Sequence, residues 1–244
     1  MGEYVNGKFY YGIKTGFNEA FVIDRATRDK LIAEHPSSAE VIKPYCRGKD
    51  SKKWCVDYQD LYLIFIRKGI RIKEYPAILK HLLQYEEKLR LRVLGNSEWY
   101  EFQCNTSYWE EFEKPKILLG RFMNAAKFSF DDKGLFNNDA LYMVSGASKY
   151  LVGILNSQMC WWFLSQICTD LQNGYLQAYM KNLEQIPIPT ATEAEQKAIE
   201  ILVQKCLEAK GQNVSQWEQE IDERVARLYG LSDEEMEIIR GNTD

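Results

Sequence analysis

Two hydrophobic periodicities divide the chain. Up to about residue 146 the apolar positions come in short runs broken by turn residues; beyond it they recur at three- and four-residue steps over longer stretches. Residues 8–13 and 19–24, rich in aromatic and β-branched side chains, read as short strands on either side of a glycine turn. Residues 25–35 have helical spacing that ends at Pro36 and two serines. The apolar run 60–66 reads as a buried strand, Gly69 as a turn, and Pro76 as the first position of a helix. That helix is expected to reach about Val93, with Ile78, Leu82, Tyr85, Leu89 and Val93 on one face and Glu86 set to pair with Arg90. Strands are expected at 116–122, 127–131 and 139–144, with a turn at 131–134.

From 150 to 169 no charged residue occurs, a length that reaches bilayer thickness. Asn156, Ser157, Gln158, Ser165 and Gln166 interrupt it, and moving amides into hydrocarbon is costly, so a buried helix is expected and no membrane partner. Pro187 and Pro189 impose extended backbone over 186–190. Thr192 with Glu195, and Ser232 with Glu235, have capping-box spacing. Apolar stripes follow at Ile199, Leu202, Val203, Cys206 and Leu207, and again at Trp217, Ile221, Val225 and Leu228 before Gly230. The expected fold class is α+β, with a twisted mixed or antiparallel sheet lobe followed by a C-terminal helical region. Its expected boundaries are 1–146 for the strand-rich lobe, 147–190 for a buried helix and extended connection that close it, and 191–244 for the helices.

Composition narrows the chemistry. Six cysteines show no close Cys-x-x-Cys pair, and two histidines, His35 and His81, are too few for a usual zinc set. No cationic segment leads into an apolar run at the N-terminus. A cytoplasmic, reduced protein without a metal site is the expectation. Net charge is −4, but the first 130 residues hold 22 Lys and Arg against 17 Asp and Glu, and the remainder 9 against 18. Within 43–92 the excess is sharper, 13 basic against 6 acidic, with Tyr45, Trp54, Tyr58 and Tyr62 among them. Such a distribution suits a polyanion on the first half of the chain.

The order of several motifs carries a resemblance. The run from Tyr11 to Asp24 is followed by Lys43-Pro-Tyr-Cys-Arg-Gly-Lys-Asp50 and Trp54, then Tyr75-Pro-Ala-Ile, His81-Leu-Leu, Trp99-Tyr-Glu and Phe112-Glu-Lys-Pro-Lys-Ile117. Asn138-Asp-Ala-Leu-Tyr142, the stretch from Tyr150 to Ser157, and Ile186-Pro-Ile-Pro189 complete the series over roughly residues 10–190. It resembles the TaqI-like specificity domain, the target-recognition part of adenine-N6 DNA methyltransferases and fused type II restriction endonucleases. The resemblance implies double-stranded DNA and a methyltransferase domain or subunit as partners. S-adenosylmethionine, and Mg if the parent is an endonuclease, would belong to that other part. All six prolines are isolated, so the Asn/Asp-Pro-Pro-Tyr tetrad of the family's methyltransferases is missing, as are a third glycine for a cofactor loop and the Pro-Asp opening of the common nuclease motif. No catalytic residue and no cofactor are expected in this chain.

Candidate DNA contacts follow from residue type. Lys14, Thr15 and Asn18 lie in the glycine turn, where backbone approaches phosphate and short polar side chains reach base edges; a tight turn with solvated side chains is the alternative. Arg47, Lys49, Lys52 and Lys53 form the densest basic cluster. Arg47 or Lys49 suits guanine in the major groove, Lys52 and Lys53 suit phosphate, and Asp50 is placed to position Arg47. Arg67, Lys116 and Arg121 follow or flank strands as further candidates, with plain surface charge as the alternative, and His81 reads as a packing residue. A protein-interaction scaffold, binding a partner enzyme through amphipathic helices, is the rival from another class.

Overall fold

The computed structural model describes residues 1–93, 95–102, 104 and 107–241. In chain order the first part runs β1 (Phe9–Tyr11), α1 (Asn18–Phe21), β2 (Val22–Asp24), α2 (Arg25–Glu34), α3 (Ser38–Val41), β3 (Ile42–Cys46), β4 (Trp54–Cys55), β5 (Leu61–Ile64), α4 (Pro76–Leu83) and α5 (Glu86–Arg90). It continues with β6 (Lys116–Gly120), β7 (Phe122–Met123), β8 (Phe128–Asp131), β9 (Phe136–Asn137), β10 (Leu141–Ser145), α6 (Lys149–Leu155) and α7 (Gln158–Ile167). The rest is β11 (Thr169–Asp170), β12 (Leu176–Gln177), α8 (Met180–Glu184), α9 (Glu193–Glu208), α10 (Ser215–Tyr229) and α11 (Asp233–Arg240).

The fold is α+β, as the patterning implies. Five strands form one sheet in the order β1, β10, β6, β8, β4; four form a second, β2, β5, β3, β9; and β11, β12 and β7 form a small third. Pairing is antiparallel except for β3 with β9 and β4 with β8. Side chains alternate across a strand, so a continuous apolar run needs two cores. In β6, Ile117 and Leu119 enter one core with α6 and α9, whereas Leu118 enters the other with β5 and α4. Tyr142 and Val144 of β10 follow the first pair, and Leu141 and Met143 the second.

Several elements differ from the pattern reading. Residues 19–24 are not one strand: Asn18–Phe21 is a helical turn and only Val22–Asp24 pairs, with β5. The helix expected to reach Val93 breaks at Tyr85 (φ −115°, ψ 6°), which separates α4 from α5. Ile78, Leu82 and Leu89 are buried as expected, but Val93 is 82% exposed. Glu86 does accept from Arg90, at 2.8 and 2.6 Å. The uncharged stretch is two helices, divided where Asn156 bonds both backbone groups of Phe128 and Ser157 caps α7 through Cys160 N–H. Among the described residues no helix is long and apolar enough to cross a membrane.

The helical tail is packed onto the first core. Both expected capping boxes form, at Thr192 with Glu195 and at Ser232 with Glu235. Gly153 lets α6 approach α9, since a β-carbon there would lie 2.6 Å from a methyl of Ile199. Ile199, Leu202, Val203 and Cys206 of α9 and Ile221 and Val225 of α10 are buried in that contact.

Candidate nucleic-acid interface

The two large sheets meet at the turn 138–140, which carries the chain from β9 in the four-stranded sheet to β10 in the five-stranded one. Register places the ends of several strands there. Cys46 of β3 pairs with Asn137, Gly120 of β6 with Leu141, and Tyr11 of β1 with Tyr142. The segments that leave these ends therefore converge on one turn. Ile13 N–H donates to Asn137 O at 2.8 Å, and Asp139 N–H donates back to Ile13 O at 3.2 Å. A β-carbon at Gly12 would sit 1.9 Å from the Asn138 carbonyl oxygen, so only glycine allows this approach. One at Gly48 would lie 3.0 Å from Ala140 Cβ, and Arg121 N–H donates to Ala140 O at 3.4 Å. Lys14, the Arg47–Lys49 turn and Arg121 are thus gathered around a single loop from three distant stretches of sequence.

Local bonds fix each segment. Thr15 Oγ1 donates to Asn18 Oδ1 at 2.7 Å and accepts from Phe17 N–H, while Arg92 donates to Thr15 O. Lys14 and Asn18 remain exposed. Arg47 is gripped by Asp50, which accepts from its Nε and Nη2 at 2.9 Å each and from its backbone N–H at 2.8 Å. The guanidinium and these hydrogen bonds hold the Asp50 carboxyl below its usual range against the opposing effect of burial. Asp50 thus positions Arg47, and Lys49 beside it is exposed.

Not every candidate reaches this place. Lys52 Nζ folds back onto Lys49 O at 2.8 Å, and Lys53 Nζ turns to Glu218 of α10 at 2.8 Å. Arg67 leaves β5 at the end that pairs with the start of β3, opposite the Arg47 end, and its guanidinium lies 5.5 Å from the centre of the Trp109 ring. Two expectations need correction. Lys116 has no exposed surface, pairs with Asp131 in the core and occupies the far end of β6 from Arg121, about 17 Å away at strand rise. Thr15, 3% exposed, spends its hydroxyl inside the turn. Neither offers a surface to a ligand.

The surroundings of Arg121 carry no signal in the sequence motifs. Its guanidinium lies 5.8 Å from the centre of the Tyr142 ring, and Tyr11 meets that ring edge-on at 5.3 Å. Arg121 Nε and Asn138 Oδ1 are buried with no hydrogen-bond partner. Nothing in the sequence showed that three cationic segments abut the turn after Asn137 and Asn138. His81 is a packing residue: its Nε2 bonds Ala20 O at 3.0 Å, and burial lowers its pKa.

The residues present do not fit S-adenosylmethionine. A glycine loop for that group opens a full helix after a parallel strand, whereas Gly12 to Gly16 leads into the single turn α1, and Gly12 is filled by the backbone of Asn138. Among the described residues no group of three or more His, Cys, Asp or Glu is placed to hold a metal.

Residues 43–188 match the model of the TaqI-like C-terminal specificity domain. The type II methyltransferase M.BstVI of Geobacillus stearothermophilus is 23% identical over 243 residues, which is 96% of this chain and 41% of that protein. Among solved structures, the type IIL restriction-modification enzyme MmeI in complex with DNA superposes with a TM-score of 0.70 at 16% identity, over 92% of this chain and 33% of MmeI. The type IIG restriction endonuclease BpuSI gives 0.52 at 14% identity, over 92% and 30%. The chain spans less than half the length of each relative.

Proposed function

The chain belongs to the TaqI-like C-terminal specificity domain family, and from that premise we propose that it reads a short duplex DNA sequence within a restriction-modification protein. The supporting observation is the convergence of Lys14, Arg47, Lys49 and Arg121 on the turn 138–140. Arg47 and Lys49 belong to the net-positive stretch 43–92, and all four lie within the net-positive first 130 residues. Lys49 and Arg121 present donors that suit guanine O6 and N7, and Asn18 an amide that suits adenine. Lys52, Lys53 and Arg67, set away from the turn, are assigned to phosphates or to the fold.

In this reading residues 1–146 form the reading lobe and 191–244 brace it. A separate catalytic region rotates an adenine out of the stack and methylates N6 from S-adenosylmethionine. Target choice belongs to this chain and methyl transfer to the other. The scaffold alternative loses its main support, because the apolar stripes of α9 and α10 are buried against each other and α6.

A salt titration tests the reading. Binding of the chain to a selected duplex should weaken linearly in log salt, with preference over an unrelated duplex retained at each salt. Equal binding of all duplexes, or binding to acidic proteins alone, contradicts it.

A further inference from the structure

Four aromatic side chains near Arg121 are left in solvent. Tyr11, Phe122, Tyr175 and Tyr179 are 52%, 55%, 41% and 38% exposed. Pairing of β7 with β12 sets Phe122 opposite Gln177. Directly paired residues, and those two positions along a strand, share a face. Tyr175 and Tyr179 flank Gln177 at that spacing, and Tyr179 is still extended (φ −97°, ψ 158°), so both rings stand on the Phe122 side. Ala178 N–H donates to Arg121 O at 3.0 Å, which ties this small sheet to the turn where Tyr11 and Tyr142 meet. Cations are interleaved with the rings. Arg121 lies by Tyr142, and Lys181 Nζ is 5.8 Å from the centre of the Tyr179 ring.

An exposed apolar ridge flanked by cations fits a polyanion with flat apolar faces better than it fits an apolar protein surface. Stacked bases between phosphates have that chemistry. Resting on the DNA-reading assignment above, we propose that Phe122 is a wedge that enters a base step of the bound duplex, with Tyr179 stacked behind it, Lys181 holding the flanking backbone and Arg121 at the neighbouring base edge. A wedge of this kind partly unstacks the step and bends the duplex. Phe122 would then contribute to choice among sequences through the ease of opening that step, without a hydrogen bond to any base.

The test compares wild type, F122A, F122W and Y179A as the full 244-residue chain. Each is titrated with its selected duplex and an unrelated one, with affinity read by fluorescence anisotropy and bend by energy transfer between labelled duplex ends. F122A should weaken binding of the selected duplex about tenfold, as loss of one stacked ring does, and straighten it. F122W should restore both, and Y179A should show a smaller loss of the same kind. Because Phe122 is more than half exposed, its variants should melt with the wild type. If F122A matches wild type in affinity and bend while wild type still prefers its duplex, the wedge is overturned and the DNA reading survives. If wild type prefers no duplex, both are overturned. Loss of binding that F122W does not restore also overturns the wedge.

Discussion

Trp54 Nε1 donates to Glu218 Oε1 across 2.7 Å, joining the basic hairpin of the reading lobe to a helix of the tail. Lys53 Nζ lies 2.8 Å from the same oxygen and 5.3 Å from the centre of the Trp54 ring. Trp54 itself is 1% exposed and holds φ at +77°, a conformation that costs a bulky residue free energy. The tail therefore sustains a strained turn at the end of the segment that begins with Arg47.

Removing that acceptor should loosen the hairpin. E218A leaves a buried indole N–H unpaired and should cost roughly 1–3 kcal/mol, read as a lower urea midpoint. E218Q keeps an acceptor oxygen and should cost less. An E218A midpoint equal to wild type would show that the strut is idle.

Lys116 and Lys49 should separate fold from binding. K116M strands the Asp131 carboxylate, 1% exposed, with only the Lys133 and Leu135 N–H groups, and should cost roughly 3–5 kcal/mol of stability. Its salt dependence of duplex binding should be unchanged. K49A should leave the urea midpoint in place and reduce the salt slope by about one. Calorimetry or urea titration of K116M, set beside binding of K49A, checks both.

Asp222 should give the chain a pH-dependent stability. Burial pushes its carboxyl up from 3.8 to about 6, against the Gln158 N–H at 2.8 Å and the positive charges of Lys53 and Arg240, with Glu218 adding to the rise. A folded-state pKa raised above the unfolded value favours the protonated protein. Its stabilising contribution is complete below 3.8 and is lost as pH rises through about 6. D222N keeps the acceptor for Gln158 and removes the charge. It should be more stable than wild type at pH 7 by roughly 1–3 kcal/mol, with the gap closing toward pH 4. A gap independent of pH would refute the assignment.

What the sequence could reveal followed local chemistry. The capping boxes at Thr192 and Ser232, the Pro76 helix start and the buried run before Ile66 were legible because each signal lies within one or two turns of chain. The break at Tyr85 was not, since no glycine or proline marks it and the buried series Ile78, Leu82 and Leu89 continues across it. Strand β3 was hidden by Pro44. That residue is tolerated because β9 begins alongside only at Tyr45, so Pro44 has a single neighbouring strand, β5. The basic residues of the candidate site were legible by type. Their grouping was not: Lys116 opens β6 inside the core while Arg121 follows its other end at the turn 138–140, and that placement is set by pairing with β10 and β8.

Duplex selection from a randomised pool, at one stated salt, tests the central claim most directly when wild type is compared with K49A, R121A and K52A. Wild type should enrich one short motif, K49A and R121A should each relax it at a single position by roughly 1–3 kcal/mol, and K52A should weaken binding without altering the motif. A wild-type pool with no enriched motif, or an identical motif from K49A and R121A, would contradict base reading at the junction of the two sheets.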